Sequence, residues 1–376
     1  MKTQPKNKIK RFLDQGVQEG VFPGAVLIAA RGGKTLFFHS AGYLSLFPKP
    51  VRMKKDTIFD LASLTKPLAT TLALMKLADE GEIFLDQPIS EIFSWPLPDD
   101  KAGITVRMLL SHSSGFAAWE PFYLNPGRVK KEMRKIVTRK RIMEGVLVCR
   151  PGEAHIYSDL GFIMLEWVIE KISGIPLHLF VQNTFYQPLS LKRIYLYNGT
   201  LPDNIQKDMI AATEKCPWRK RIIHGEVHDE NAYFLGGYSG HAGLFSCAGD
   251  ILAIMNMLRG HYLGEREDYF RRETVREFFR RQDIIRDCFY ALGWDTPSME
   301  GSSSGMYFSP NSIGHLGFTG TSLWMDLDRD LTVILLTNRV HPTRENQKIK
   351  EFRPLLHDLI VQEIYGRQTI YTERIK

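Results

Sequence analysis

Two stretches near opposite ends of this chain read as β-hairpins. The first, GAVLIAARGGKTLFFHSAGYLS from Gly24, has two β-branched and aromatic runs around Gly32-Gly33, a turn signal. The second, TSLWMDLDRDLTVILLTNR from Thr321, turns at Asp328-Arg329-Asp330. Between them the pattern is mostly helical. Strands at both ends with helices in the middle imply an α/β body closed by joining the two ends of the chain in one antiparallel sheet. The middle then forms a separate helical lobe.

A short helix is expected over Ile9–Gln18 and a closing one from Glu351 to about Tyr365. Pro67 to Glu80 is apolar on most faces, which predicts a buried helix. From about 100 to 285 the pattern is mainly helical with Gly/Pro-rich connections, including HGEVHDENAYFLGGYSGHAGLFS at 224–246. The expected organisation is a single α/β (α+β) domain over 1–376. Its α/β lobe takes about 1–62 and 288–376, and its helical lobe about 63–287. A site between the lobes is the expected place for function. The chain shows no repeats or low-complexity segment.

Length and composition set outer limits. With 376 residues, 44% hydrophobic and 24% charged, the chain can bury a sizeable core. No apolar run approaches the roughly 18 residues of a membrane span. The first residues, MKTQPKNKIKRFLDQG, are basic but lack the apolar core and small-residue cleavage site of a signal peptide, so a cytoplasmic protein is expected. A chain trimmed of a leader for the periplasm would look the same. The four cysteines, Cys149, Cys216, Cys247 and Cys288, form no C-x-x-C pair and read as reduced, packed thiols.

Net charge is +7, and between Arg128 and Arg141 eight basic residues face only Glu132, a local +7. An anionic partner is one reading; one solvated helix face is the plainer one. No nucleic-acid motif accompanies the run.

Residues 61–67 read LASLTKP. Positions three apart share a helix face, so a helix starting near Ser63 brings its Oγ within reach of the Lys66 ammonium. Pro67 fits, because the first N–H groups of a helix have no intrahelical partner to lose. Serine needs a base beside it to become a nucleophile, and a lysine serves where its pKa is lowered. Alone, S-x-x-K is a weak signal.

Its companions strengthen it. HIYSDLGF at 155–162 sets Tyr157 and Asp159 at the head of another apolar helix. A tyrosine beside that serine and lysine can relay a proton to a leaving group. GHLGFTGTS at 314–322 places His315, Gly317 and Phe318 just before the C-terminal hairpin, where glycine lets a strand approach a substrate. The N–H groups of Ser63 and Phe318 are then candidates for an oxyanion hole, worth about 3 kcal/mol per donor.

Together, in this order and spread, the three stretches resemble the serine β-lactamase and penicillin-binding-protein superfamily. Within it the chain looks most like the class C β-lactamase-related esterases, amidases and D-aminopeptidases. LLSHSSGF at 109–116 and LLTNRVHP at 335–342 add to the likeness, which runs from about residue 10 to 365. The resemblance implies acylation of Ser63, with Lys66 and Tyr157 sharing the base and acid work. It places Asp159 where the family often has asparagine, near the substrate amide. His315 stands in place of the lysine of the family's K-T-G strand.

Both departures have consequences. A carboxylate at Asp159 favours the Lys66 ammonium, so Lys66 as an electrostatic partner with Tyr157 as the main base is one reading, and Lys66 as the base is the other. A histidine at 315 weakens a fixed positive charge that holds a β-lactam or peptide carboxylate, so slow or absent β-lactam turnover is expected. A structural histidine near the cleft is the alternative reading of His315.

His224, His228, Asp229, Glu230 and His241 invite a metal reading, but HGEVHDENA follows no H-E-x-x-H arrangement, and a hydrogen-bonded loop is expected instead. VHDENA and GHAGLFS resemble segments of muramyl-peptide amidases in the same superfamily. Tyr238 and Trp294 are pocket candidates with core packing as the alternative; Trp167 reads as core, and Asp250 as an N-cap.

The sequence therefore reads as a cofactor-free serine hydrolase of small esters or amides, with no metal, no nucleic-acid partner and an open oligomeric state. A muropeptide amidase or D-aminopeptidase/D,D-peptidase is the alternative within enzymes. A catalytically silent ligand-binding or scaffold protein is the alternative outside them.

Overall fold

The computed structural model describes residues 5–93, 97–124, 129–285 and 289–366. Cys288 and Arg128, named above, lie outside them. A six-stranded antiparallel sheet joins the two ends of the chain. Its strands are β1 (Gly24–Arg31), β2 (Lys34–Ser45), β3 (Val51–Arg52), β4 (Ser312–Leu316), β5 (Ser322–Asp326) and β6 (Leu331–Thr337). They lie in the order β3-β2-β1-β6-β5-β4, with β1 and β6 paired through Leu27 and Leu335.

Alternation decides which core each strand residue enters. Ala25, Leu27 and Ala29 of β1 join Leu331, Val333 and Leu335 of β6 in an outer core. Val26, Ile28 and Ala30 point the other way, with Ile334 and Leu336, into the main core. The β1–β2 turn is made by Gly32 and Gly33, at φ 56° and 72°, the left-handed pair a tight hairpin requires. At the second hairpin the Asp326 carboxylate accepts the N–H groups of Asp328 and Arg329.

Helices α1 (Pro5–Gln18), α2 (Leu72–Asp79), α3 (Arg134–Glu144), α4 (Asp159–Ser173), α5 (Ala248–Leu263), α6 (Arg272–Phe279) and α7 (Ile349–Tyr365) make the rest of the frame. α1 and α7 cover the outer sheet face, where Phe12 stacks on Phe352 with ring centroids 4.7 Å apart. α5 covers the inner face: Asn256 donates to the Gly33 carbonyl at 3.0 Å, and Ile251, Ile254 and Met255 enter the main core. This helix lies inside the stretch expected to form the helical lobe, yet it packs on the sheet.

Two expectations are refined. The helix expected over Pro67–Glu80 begins as a π-helical turn, Lys66–Thr71, before tightening into α2. The 100–285 stretch is also less helical than its pattern, with short strands at Tyr195–Leu196, Lys215–Cys216, Arg221–Ile222 and Leu244–Ser246. Leu244–Ser246 pairs with Phe59–Asp60, which ties the segment before Ser63 to the middle of the chain.

The basic run is not simply a solvated face. Lys135 pairs with Glu166 at 2.5 Å, Arg139 with Glu170 at 2.6 Å, and Arg141 with Glu120. These carboxylates come from distant segments, so their neutralising charge is invisible in a local window. Cys149, Cys216 and Cys247 are unpaired, the last two buried. Among the described residues no helix is long and apolar enough to cross a membrane.

Candidate active site

Ser63 sits on a tight turn, Ala62–Leu64, held from below by a buried carboxylate. Asp60 accepts the Ala62 N–H at 2.9 Å and the His228 N–H at 2.6 Å. Ala62 is left at φ 47°, a left-handed conformation disfavoured for alanine, immediately before the serine. Such strain persists only where its surroundings enforce it. Here they do, through Asp60 and through Thr65, whose hydroxyl donates to the Ala62 carbonyl at 2.6 Å.

One turn on, Lys66 is wholly buried. Its Nζ donates to Ser63 Oγ at 3.2 Å, to Asp159 Oδ1 at 2.6 Å and to the His241 carbonyl at 3.4 Å. The Nζ also lies over the Tyr157 ring, 4.7 Å from its centroid. Burial pushes the ammonium pKa down; the Asp159 carboxylate, and then Tyr157, outweigh it, and the net shift is upward. Lys66 is charged at neutral pH.

Tyr157 precedes α4, whose N-cap is Ser158: the Ser158 hydroxyl accepts the Gly161 N–H at 3.1 Å. The Ser158 N–H in turn donates to His112 Nδ1 at 3.0 Å, and the Asp159 N–H to the Ala118 carbonyl at 2.9 Å. His112 packs on Tyr157 with ring centroids 4.6 Å apart. Burial, with Lys66 nearby, holds His112 far below the usual histidine range, so it is a neutral acceptor. The LLSHSSGF segment thus fixes the phenol. Burial pushes the Tyr157 hydroxyl up to about 12, opposed by Lys66 and by hydrogen bonding to Lys66 and Ser63.

The third wall is the turn from β4 to β5. Thr319 donates to the Asp60 carbonyl at 2.7 Å and Thr321 to the Leu61 carbonyl at 3.1 Å, latching this turn to the serine turn. Gly317 is required by space: a Cβ there would lie 2.5 Å from the Leu61 carbonyl oxygen. Among the described residues the Ser63 and Phe318 N–H groups find no backbone acceptor. The Phe318 ring is 48% exposed and stacks over Arg339 at 4.7 Å.

His315 is buried, with Nδ1 donating to the Leu316 carbonyl at 2.8 Å and Nε2 unpartnered. Burial, then Lys66, pushes its pKa down to about 3, so it is neutral and replaces a cation with a dipole.

Ser63 opens onto two cavities that share Tyr157 and Phe318. The larger, about 550 Å³, is lined by Asp295, His315, Gly317, Arg339, Lys350 and Arg353 among others. The smaller, about 330 Å³, is lined by Asp159, His228, Asp229, Glu230, His241 and Arg344.

The structure brings Ser63, Lys66, Tyr157, Asp159, His315, Gly317 and Phe318 around one cleft. The histidines of the 224–241 segment do not converge. His228 pairs with Glu214 at 3.0 Å, His241 with Asp229 at 3.0 Å, and His224 bonds the Ile210 carbonyl at 2.8 Å. A different trio, Glu214, Cys216 and Glu230, has ligand atoms within 4.8 Å of one another. Two of its members are occupied by Arg344, at 2.5 Å from Glu214 and 2.6 Å from Glu230.

Tyr238 and Trp294 are core residues outside both cavities; the Tyr238 hydroxyl bonds His178 Nδ1 at 2.8 Å. Asp250 is not an N-cap: Cys247 holds that position in α5, and the Asp250 carboxylate accepts the Arg193 N–H at 2.7 Å. Asp295, Arg339 and Arg353 went unread in the sequence. Nothing local marks them, since each reaches the cavity from a different element.

Residues 9–357 match the Beta-lactamase family. A relative from Escherichia coli O157:H7, named "Putative D-alanyl-D-alanine carboxypeptidase", is 34% identical, over 91% of this chain and 84% of its own length. Among solved structures, the hydrolase EstCE1, described as having promiscuous acyltransferase activity, superposes with a TM-score of 0.71 at 21% identity, covering 93% of this chain and 98% of its own. The octameric penicillin-binding protein homologue from Pyrococcus abyssi gives 0.70 at 21% identity, over 95% of this chain and 78% of its own. These two likenesses concern the fold. The family match, spanning nearly the whole chain, and the relative's identity establish that this chain belongs to the Beta-lactamase family, within the serine β-lactamase and penicillin-binding-protein superfamily.

Proposed function

We propose that this protein is a serine hydrolase that acylates Ser63 with carboxyl esters and, less readily, with amides, and then hydrolyses the acyl-enzyme. One observation carries the reading: a strained serine turn faces a buried ammonium and a half-buried phenol at the mouth of two cavities. A purely structural serine has no need of that arrangement.

Ser63 Oγ attacks the substrate carbonyl carbon as its proton leaves for the Tyr157–Lys66 couple. With Lys66 held charged by Asp159, the proton acceptor is the fraction of Tyr157 present as phenolate, a form the adjacent ammonium stabilises and whose population rises with pH. The carbonyl oxygen becomes an oxyanion facing the Ser63 and Phe318 N–H groups, which are free to donate. As the C–O or C–N bond breaks, Tyr157 returns the proton to the leaving group. Water then attacks the acyl-serine, gives its proton to the same couple, and Ser63 leaves re-protonated.

The neutral His315 supports slow or absent β-lactam turnover, because the β4 strand offers no fixed charge to a lactam carboxylate. The D,D-carboxypeptidase reading is favoured by the relative's name alone, and it keeps the same nucleophile.

The test is p-nitrophenyl acetate turnover by wild type and Ser63→Ala, with mass spectrometry after a fluorophosphonate probe. Expected are one adduct on Ser63 and at least about a thousandfold loss in the variant. Label on another serine, or equal turnover, overturns the assignment. A folded protein that takes no label supports a silent ligand-binding protein instead. Parallel D-Ala-D-Ala peptide and chromogenic cephalosporin assays sort the substrate classes.

A further inference from the structure

Part of the exposed apolar surface is gathered in one place. Trp119 is 47% exposed and lines the smaller cavity that Ser63 opens onto. Its ring lies 6.4 Å from that of Tyr123, which meets Trp218 edge-on at 4.8 Å. Trp218 is 41% exposed, and Leu124, next to Tyr123 in the chain, is 55% exposed. A ridge of rings therefore runs from the cavity mouth out onto a neighbouring hairpin. Single exposed apolar residues need no explanation, but two half-exposed tryptophans joined by a tyrosine do.

The hairpin pairs Lys215–Cys216 with Arg221–Ile222, and Trp218 stands in its turn. Its seven residues, KCPWRKR, carry four cations and no acid. Two of the cations are committed. Arg219 stacks on Tyr233 at 3.9 Å and donates to the carbonyls of Val227, His228 and Asp229, which braces the turn from below. Arg221 pairs with Glu226 at 2.7 Å. Lys215 and Lys220 are exposed, and none of the ion pairs among the described residues uses them.

A partner for this surface must accept apolar rings and free ammonium groups side by side. A protein interface takes tryptophan and tyrosine but is depleted of lysine. Nucleic acid takes the lysines and stacks on rings, but has no place for Leu124. An anionic bilayer takes all three. Indole and phenol rings settle where headgroups meet hydrocarbon, a leucine enters the acyl region, and lysines reach the phosphates. The net charge of +7 acts in the same direction at longer range.

We propose that the Trp119–Tyr123–Trp218 ridge and the Lys215–Arg221 hairpin tip form a docking face for an anionic lipid surface. Because Trp119 belongs both to this face and to the smaller cavity, docking sets the mouth of that cavity against the headgroup layer. The inference concerns binding and does not depend on Ser63 being the nucleophile.

The test is co-sedimentation of the full chain with phosphatidylcholine vesicles containing or lacking about one third phosphatidylglycerol. Wild type is expected to bind the anionic vesicles at least about tenfold more tightly, and to lose most of that advantage as salt rises. Phospholipids brominated along the acyl chain should quench its tryptophan fluorescence, a measurement that needs no variant. Trp218→Ser should bind about tenfold more weakly, with less quenching. The double variant Lys215→Gln, Lys220→Gln should bind about thirtyfold more weakly, about fivefold for each lysine. Near-UV circular dichroism matching wild type shows that both variants fold.

Binding to anionic vesicles without quenching, unchanged by Trp218→Ser, would make the hairpin a general polyanion patch and overturn the claim. So would tighter binding to single-stranded RNA than to vesicles. Absence of vesicle binding overturns it too, and a dimer that Trp218→Ser dissociates would then reassign the ridge to a contact between two copies of this chain.

Discussion

Asp159→Asn is the sharpest perturbation of this site, because it removes one charge and almost no volume. The carboxylate oxygen lies 2.6 Å from Lys66 Nζ, and the lysine side chain is fully buried. At an effective dielectric constant near 20, two unit charges at that separation attract by about 6 kcal/mol, or about 4 pKa units. Allowing for side-chain relaxation, a drop of about 2–4 units is expected in the Lys66 pKa. Burial, which already pushes that pKa down, then dominates, and it falls below the ordinary lysine value. A neutral amine therefore becomes available in the variant at alkaline pH, from about pH 9–10, and Lys66 changes from electrostatic partner to base.

The assay is kcat/KM for p-nitrophenyl acetate from pH 6 to 10.5. In wild type the rate should climb through the whole range, because both members of the couple hold their protons. In the variant the alkaline limb should move down by about 2–4 units. Stability reports the same change. At pH 7 the variant buries an unpaired ammonium and should lose about 3–5 kcal/mol. Its folded-state lysine pKa now lies below the unfolded value, so the unfolded chain binds more protons and stability recovers as pH rises between the two. If both proteins show the same limb while Ser63 still takes a fluorophosphonate, Asp159 is not what holds Lys66 charged, and the reasoning fails.

Four further outcomes follow from the structure. Tyr157→Phe keeps the ring against His112 but removes the hydroxyl, so kcat should fall about 10²–10⁴-fold with KM little changed and the alkaline rise flattened. Gly317→Ala places a Cβ 2.0 Å from Thr321 Oγ1 and 2.5 Å from the Leu61 oxygen, which displaces the oxyanion turn; turnover should drop about a hundredfold. Gly103→Ala, with open space around its Cβ, should leave melting temperature and activity alone. His228 and Arg344 hold the Glu214 carboxyl down at about 2, so its contribution to stability is complete above its ordinary value of 4.5 and disappears as pH falls toward 2. Arg344→Ala should narrow that window, read as a higher midpoint of acid unfolding.

The sequence alone determined the parts that depend on local period and spacing. Nearly unbroken apolar runs in GAVLIAAR and LTVILLT set the buried strands, and Gly32-Gly33 set the hairpin. The three-residue step from Ser63 to Lys66 set the contact that the structure shows at 3.2 Å. The family resemblance placed Tyr157 and His315 beside them. Even the sign of the Lys66 shift was legible, because a carboxylate in place of an amide has one electrostatic consequence.

Tertiary structure decided whatever depends on distant partners. The basic run at 128–141 looks unbalanced in sequence, yet Glu120, Glu166 and Glu170 pair with three of its cations. Asp250 carries an N-cap's residue type but sits inside the first turn of α5, and its carboxylate goes to Arg193. Arg353 looks like one more arginine on an amphipathic helix. Only the packing of α7 over the sheet buries it and turns it into the cleft, with no carboxylate among the described residues paired to it. Desolvation and charge pairing are properties of the space around a side chain, and that space is built by segments hundreds of residues apart.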